Sequence, residues 1–158
     1  MNVEARNIWL KYIEAWNEHD MEKILSCTSD TFVYDEVPMT MHKPIEGAAE
    51  FRRYLTRVFS LAPDLHIRLV SLDVGNDFGF SESIMTGTLA IGKGLFKVER
   101  KICSKVACRF DTASGKLVRE HLYWDKSNTV LQLGILASLA GAFSKKAWTP
   151  KLPDHLPH

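Results

Sequence analysis

The stretch Gly115-Lys-Leu-Val-Arg-Glu-His-Leu-Tyr-Trp-Asp125 sets the interpretation of the whole chain. A glycine turn opens it, and the residues that follow suit the two-residue period of a β-strand. Alternation predicts one face with Leu117, Arg119, His121, Tyr123 and Asp125, and another with Val118, Glu120, Leu122 and Trp124. Because His121, Tyr123 and Asp125 can each move or polarise a proton, we expect the first face to form part of a functional site. The alternative is an ordinary sheet rim, in which Asp125 caps the next helix.

Three long strands are predicted ahead of this one. Residues 65–74 and 80–91 are rich in strand-forming side chains, and residues 97–111 alternate most regularly. In the third segment the mostly apolar set is predicted to cover a core or pocket, and the other set to meet water. The covering set is Val98, Arg100, Ile102, Ser104, Val106, Cys108 and Phe110.

In the N-terminal third, the sequence predicts two helices, a strand and a third helix, in that order. Apolar spacing predicts helices over residues 3–18, 21–27 and 48–60, with Asp20 capping the second, and a strand over residues 31–37. Tyr12 and Trp16 fall on the buried face of the first helix. The order of elements indicates an α+β fold with helices packed on one face of a curved antiparallel sheet. A further, almost wholly apolar helix is predicted from residue 128 or 129 to about 143, followed by a proline-rich tail.

Length and charge exclude several classes of function. A chain of 158 residues favours one domain, and a net charge of +1 with mixed signs offers no basic stripe for nucleic acid. Three cysteines without CxxC spacing favour a reducing compartment, so a cytoplasmic location is expected.

The apolar run at 133–143 is too short to span a bilayer, and we expect no membrane association. Neither His42 nor His66 lies at metal-ligand spacing with another histidine, cysteine or carboxylate, so no metal site is expected.

Four motifs carry a family resemblance: Tyr12-Ile-Glu-Ala-Trp-Asn-Glu-His-Asp20, Pro44-Ile-Glu-Gly47, the strand from Gly115 to Asp125, and Thr129-Val-Leu-Gln-Leu-Gly134. The chain resembles the SnoaL-like polyketide cyclase branch of the NTF2-like superfamily. The resemblance implies an NTF2-like (cystatin-like) cone: three N-terminal helices on a curved antiparallel sheet, a C-terminal helix, and an apolar ligand held between sheet and helices. We assign residues 1–134 to this domain, and 135–158 to an apolar helix and tail packed on the same domain or on a dimer partner.

The resemblance also implies site residues. Cyclases of this kind are acid–base catalysts without metal or cofactor, and they use an aspartate on the last strand, two residues after a strand histidine, with a second histidine on the preceding strand. The strand histidine matches His121, whereas the aspartate position is occupied by Tyr123 and the second histidine position by Val106. Asp125 matches a different, helix-opening aspartate. The chain therefore departs from the cyclases at both decisive positions.

The related ketosteroid isomerases offer a second comparison. They use a tyrosine on the first helix, an aspartate base at the end of the first strand and a protonated acid on the fourth. Tyr12 matches the first, Asp35 or Glu36 the second, and the third falls near Val106.

A dry pocket raises the pKa of a carboxylate toward neutrality, and a tyrosine hydroxyl can stabilise negative charge on a carbonyl oxygen. We therefore predict catalytic roles for His121, Tyr123 and Asp35. Ligand contacts are predicted for Tyr12, Trp16, Glu36, His42, Val106 and Asp125. The predicted activity is cofactor-independent chemistry of cyclase, isomerase or dehydratase type on an apolar carbonyl compound.

The alternative is a non-catalytic NTF2-like module that binds a ligand or another protein. In either case a homodimer is expected, because the open sheet face and the apolar C-terminal helix both need cover.

Overall fold

The computed structural model describes residues 2–37, 43–91 and 98–125. Its elements, in chain order, are α1 (Val3–Asn17), α2 (Met21–Cys27), β1 (Thr28–Val37), β2 (Ile45–Glu46), α3 (Gly47–Leu61), β3 (His66–Val74), β4 (Phe78–Ile91), β5 (Val98–Ala113) and β6 (Lys116–Trp124). The predicted order of three helices, one early strand and four late strands is confirmed. The two-residue strand β2 is an addition, and the predicted C-terminal helix and tail lie outside the described residues.

The strands form one six-stranded sheet in the order β2-β1-β6-β5-β4-β3. Strands β3 to β6 form an antiparallel meander, and β2 is antiparallel to β1. The prediction of a purely antiparallel sheet is wrong at one junction, because β1 and β6 run parallel. Strand β1 is far from β6 in sequence and no hairpin joins them, so no tight turn forces the two strands to run in opposite directions.

Local chemistry explains where the elements begin and turn. The side chain of Asp20 accepts a hydrogen bond from the backbone N–H of Lys23 at 3.0 Å, which confirms the predicted cap of α2. Between β5 and β6, Ser114 and Gly115 have φ angles of 51° and 71°. Two consecutive positive φ values make the twisted two-residue turn that suits a β-hairpin. None of the helices in the described ranges is long and apolar enough to cross a membrane.

Helices α1 and α3 pack against one face of the sheet through aromatic side chains. Trp9 of α1 stacks on Phe110 of β5 with ring centroids 4.1 Å apart, and Phe51 of α3 lies 5.0 Å from Phe32 of β1. On β5 the even-numbered residues from 102 to 110 are buried, which confirms the predicted covering face over that range. The inner face of the sheet is therefore defined by β5.

The prediction of unbroken alternation along β6 is wrong. Leu117 and Glu120 are both buried although they are three positions apart, which in a regular strand would put them on opposite faces. The cause is a shift in pairing with β5: Glu120 lies opposite Phe110, whereas Leu117 lies opposite Thr112. Such a bulge inserts one residue and changes which side chains face inward. Beyond it, the even-numbered residues of β6 face the helices.

Candidate functional site

A cavity of about 700 Å³ lies between the helices and the inner face of the sheet. Most of the side chains around it are apolar, so a ligand inside would be largely removed from water. Its polar side chains are few and include two carboxylic acids, Glu36 of β1 and Glu120 of β6. The remaining lining residues are Tyr12, Ile13, Trp16, Tyr34, Lys43, Ile45, Tyr54, Arg57, Val58, Leu61, Ala62, Leu65, Ile67, Ser83, Met85, Leu89, Ile102, Val106, Cys108, Leu122 and Trp124.

Glu120 is a buried acid tied to the first helix. The hydroxyl of Tyr12 donates a hydrogen bond to its Oε2 at 2.6 Å, and the thiol of Cys108 lies 3.6 Å from its Oε1. Burial raises the pKa of Glu120 to about 7, and the negative charge of Glu36 adds to the rise. The bonds from Tyr12 and Cys108 act in the opposite direction. Near neutral pH this carboxyl group is therefore present in both protonation states.

Glu36 is held by two donors on other elements. The indole N–H of Trp124 donates to its Oε1 at 2.6 Å, and the hydroxyl of Tyr54 donates to its Oε2 at 3.3 Å. The Tyr54 hydroxyl is also 3.1 Å from that of Tyr34. Burial raises the pKa of both tyrosines well above their usual range, so both keep their protons at physiological pH. These two hydrogen bonds therefore hold the carboxyl group of Glu36 at the wall of the cavity.

The parallel pairing of β1 and β6 places the two acids on one face. Tyr34 lies opposite Glu120, and Glu36 lies opposite Leu122, so the acids stand one strand and two residues apart. Residues two apart on a strand share a face. The site therefore places an acid with a pKa of about 7, Glu120, near a second carboxyl group in an apolar cavity. Such an arrangement is suited to transferring protons to and from a bound molecule.

Four of the residues predicted as ligand contacts line this cavity: Tyr12, Trp16, Glu36 and Val106. Both Tyr12 and Trp16 are also buried in the core. Their roles in binding stay predictions.

The residues predicted as catalytic lie on the opposite face of the sheet. Asp35 Oδ2 is 3.3 Å from His121 Nδ1, and the Tyr123 ring lies 6.5 Å from the His121 ring. None of the three lines the cavity, and Tyr123 is 46% exposed. The structure thus brings the predicted trio together but outside the expected pocket. The bulge in β6 and the alternation along β1 turn these side chains outward, whereas the sequence had left the direction of Asp35 and Glu36 open. The catalytic roles of the three residues stay predictions.

Of the other two predicted contacts, only Asp125 lies within the described residues, and it does not line the cavity. Asp125 follows the end of β6 and is exposed. His42 lies outside the described residues. Among the described residues, no three acidic, histidine or cysteine side chains come together as a metal site would require.

Sequence reasoning missed Glu120, Tyr34, Tyr54 and Trp124. A signal for Glu120 was present, because Leu122 and Trp124 make its side of β6 apolar, as a core-facing strand should be. The inward face of β5 was also predicted correctly, and Cys108 pairs directly with Leu122. Following that pairing along the hairpin would have turned Glu120 inward.

Comparison with known proteins agrees with this architecture. The model of the SnoaL-like domain family matches residues 9–120. The chain belongs to the SnoaL-like domain family. No curated protein matches the chain.

Solved structures of similar fold are distant in sequence. A candidate polyketide cyclase from Xanthomonas campestris pv. campestris is 18% identical, with 83% of this chain and 97% of that chain covered and a TM-score of 0.73. A protein of ketosteroid isomerase-like fold from Catenulispora acidiphila, in complex with trimethylamine, is 14% identical over 83% and 95%, with a TM-score of 0.69. TerC, co-crystallised with polyporic acid, is 12% identical over 82% and 98%, with a TM-score of 0.68. At these identities the likeness concerns the fold, which is of the NTF2-like, ketosteroid isomerase-like kind.

Proposed function

We propose that this SnoaL-like protein is a cofactor-independent acid–base enzyme that acts on an apolar carbonyl compound bound in the cavity between helices and sheet. One observation carries the proposal: two carboxylic acids, Glu36 and Glu120, face the same apolar cavity from neighbouring strands. Burying two acids side by side is costly unless each is hydrogen-bonded, and each is. A cavity built only to bind an apolar molecule has no need of them.

The two acids divide the work of enolisation. The Glu36 carboxylate takes a proton from the carbon next to the substrate carbonyl, and the electron pair of that C–H bond moves into the enolate. Protonated Glu120 donates a hydrogen bond to the oxygen on which negative charge grows, as a neutral acid in an apolar site can do. Tyr12 fixes the orientation of Glu120, because its hydroxyl donates a hydrogen bond to Oε2 at 2.6 Å and leaves the other oxygen, Oε1, to face the substrate.

The enolate can then follow any of three routes. Return of the proton at another carbon gives an isomer, attack on a second carbonyl of the same molecule gives an aldol-type ring, and loss of a hydroxide from the β-carbon, protonated as it leaves, gives a dehydration product. All three begin with the same proton transfer. The proposal therefore concerns this shared first step, and the substrate decides the outcome.

Proton abstraction can be measured without knowing the natural substrate. In heavy water, exchange of the protons next to the carbonyl of acetylnaphthalene and tetralone is followed by proton NMR with wild type and with Glu36→Gln. We expect wild type to accelerate exchange and Glu36→Gln to lose about 100-fold or more of that acceleration, the usual contribution of a general base. Binding of both ketones, followed by native mass spectrometry, should survive the substitution. Ketones that bind but exchange at the uncatalysed rate would identify a non-catalytic ligand-binding module instead.

We further propose that the protein is a homodimer formed through the outer face of the sheet. Three large side chains are exposed on that face: Phe78, Phe80 and Tyr123 are 39%, 51% and 46% exposed. The Phe78 and Phe80 rings lie 5.9 Å apart, and exposed aromatic side chains on one face are typical of a protein interface. Analytical ultracentrifugation should give a dimer for wild type and a monomer for Phe80→Arg, and a monomeric wild type would contradict the proposal.

A further inference from the structure

The mouth of the cavity carries two cations that the proposed enolisation does not use. Lys43 and Arg57 both line the cavity, and both are exposed. Among the described residues that line the cavity they are the only lysine and arginine, and the only carboxylic acids are the buried Glu36 and Glu120. The cavity therefore has its acidic side chains on the buried wall and its basic side chains at the side that faces solvent.

Arg57 differs from the other two arginines of α3, because it forms no ion pair with a described residue. Arg52 forms a two-point ion pair with Glu22, and Arg53 pairs with Glu50. Within the described ranges no carboxylate pairs with Arg57 or with Lys43. Two arginines of the helix are thus paired with glutamates of the chain, whereas the guanidinium of Arg57 can bind an anionic ligand.

The position of Arg57 on α3 also relates it to the acids. Tyr54, Arg57, Val58 and Leu61 follow the helical spacing that puts side chains on one face, and all four line the cavity. Tyr54 holds Glu36, and the side chain of Arg57 leaves the helix about one turn, or about 5 Å, further along the same wall. A molecule of modest length can reach both.

We infer that the substrate carries an anionic group, a carboxylate in the simplest case, which Arg57 and Lys43 hold at the mouth while its ketone end reaches Glu36 and Glu120. Arginine suits this task because its planar fork donates two parallel hydrogen bonds to a carboxylate. The buried acids strengthen the selection, since a carboxylate that entered first would meet like charge in an apolar space. The cations therefore also set the direction in which the substrate enters.

This inference rests on the proposed function, and its test separates the two. The probes are naphthyl keto acids with two, three or four methylene groups between ketone and carboxylate, each compared with its methyl ester. Affinities are measured by isothermal titration calorimetry at low salt. The proteins are wild type, Arg57→Gln, Lys43→Gln, the charge-conserving Arg57→Lys, and Arg53→Gln as a matched control one turn earlier on the same helix. Proton exchange next to each ketone is followed in parallel.

Wild type should bind the best-fitting acid roughly tenfold more tightly than its ester, and the preference should shrink as salt rises. Arg57→Gln should remove most of the preference, Lys43→Gln part of it and Arg57→Lys less, while Arg53→Gln keeps it whole. Equal binding of acid and ester by wild type, or an unchanged preference in both Gln variants, overturns the inference. If esters still exchange through Glu36 in that case, the proposed function stands alone. If acids bind preferentially but nothing exchanges, the anion site stands and the proposed function fails.

Discussion

The hydroxyl of Tyr12 on the first helix donates a hydrogen bond across 2.6 Å to Oε2 of Glu120 on the last strand. This contact joins the two ends of the described fold and fixes a carboxyl group that is buried in a mostly apolar cavity. It makes Tyr12 both a core residue and a support for the proposed acid. Several measurable properties depend on it.

Tyr12→Phe should destabilise the protein more at pH 8 than at pH 5.5. The lost bond goes to an ionised carboxylate at the higher pH, where such bonds contribute about 1.5–3 kcal/mol, and to a neutral acid at the lower pH, where they contribute about 1 kcal/mol. Urea unfolding at both pH values measures the difference. Tyr123→Phe is the control, because its hydroxyl forms no hydrogen bond with a carboxyl group among the described residues, so its removal should change the free energy of unfolding equally at the two pH values. Equal effects of Tyr12→Phe at both pH values would show that Glu120 does not ionise in this range.

Stability should fall as pH rises from about 4.5 to about 7 because of Glu120. Its pKa is about 7 in the folded state against an ordinary value of 4.5. The folded protein holds more protons than the unfolded chain in this interval, so its contribution is full below about pH 4.5 and is lost as pH rises through about 7. The shift corresponds to a loss on the order of 3 kcal/mol, since one pKa unit is about 1.4 kcal/mol. Glu120→Gln should remove this part of the pH dependence, and an identical slope in wild type and variant would contradict the assignment.

The rate of proton exchange on a bound ketone should also follow the ionisation of Glu120. The proposed mechanism needs Glu120 protonated, so the rate should fall above about pH 7 as this group loses its proton. Glu120→Gln keeps a neutral N–H donor, and its slower exchange should show no such fall. A wild-type rate that rises through pH 7 would reverse the roles of the two acids.

Gly79 should be intolerant of a side chain for reasons of packing. A Cβ added there would collide with the ring of Phe110 and lie 2.9 Å from the carbonyl oxygen of Asp73. Phe110 cannot move aside, because it is fully buried and stacked on Trp9 at 4.1 Å. We expect Gly79→Ala to cost about 1–3 kcal/mol in thermal or urea unfolding. Gly75→Ala should cost less, since its Cβ would meet the partly exposed side chain of Phe78; similar losses at both positions would argue against this packing.

The fold was accessible from sequence because its signals are local and repeated. The period of β5 predicted its buried face, and the spacing of aromatic residues predicted α1. The site was less accessible. On β1, Phe32 and Tyr34 favour turning Glu36 inward, but Val33 and Val37 favour the opposite face equally well, so parity alone left Asp35 and Glu36 undecided.

On β6 the interpretation followed chemical reactivity rather than burial. His121 and Tyr123 were singled out as proton-transfer groups, whereas Glu120 was assigned to the other face and given no role. The apolar neighbours Leu122 and Trp124 favour an inward Glu120, and the pairing of β6 with β5, bulge included, places it opposite Phe110 on the inner face. A buried carboxyl group is decided by tertiary partners such as Tyr12, which lies 108 residues away in the chain, and no local pattern encodes them.

The central claim is that proton chemistry takes place on the cavity side of the sheet, and neighbouring residues of β1 test it most directly. Glu36 faces the cavity, and Asp35 faces outward to His121 at 3.3 Å. The rate of proton exchange on acetylnaphthalene is measured for wild type, Glu36→Gln and Asp35→Asn under identical conditions. The account predicts a loss of about 100-fold or more in Glu36→Gln and a rate close to wild type in Asp35→Asn. Loss of activity in Asp35→Asn with retention in Glu36→Gln would contradict it and move the active site to the outer face.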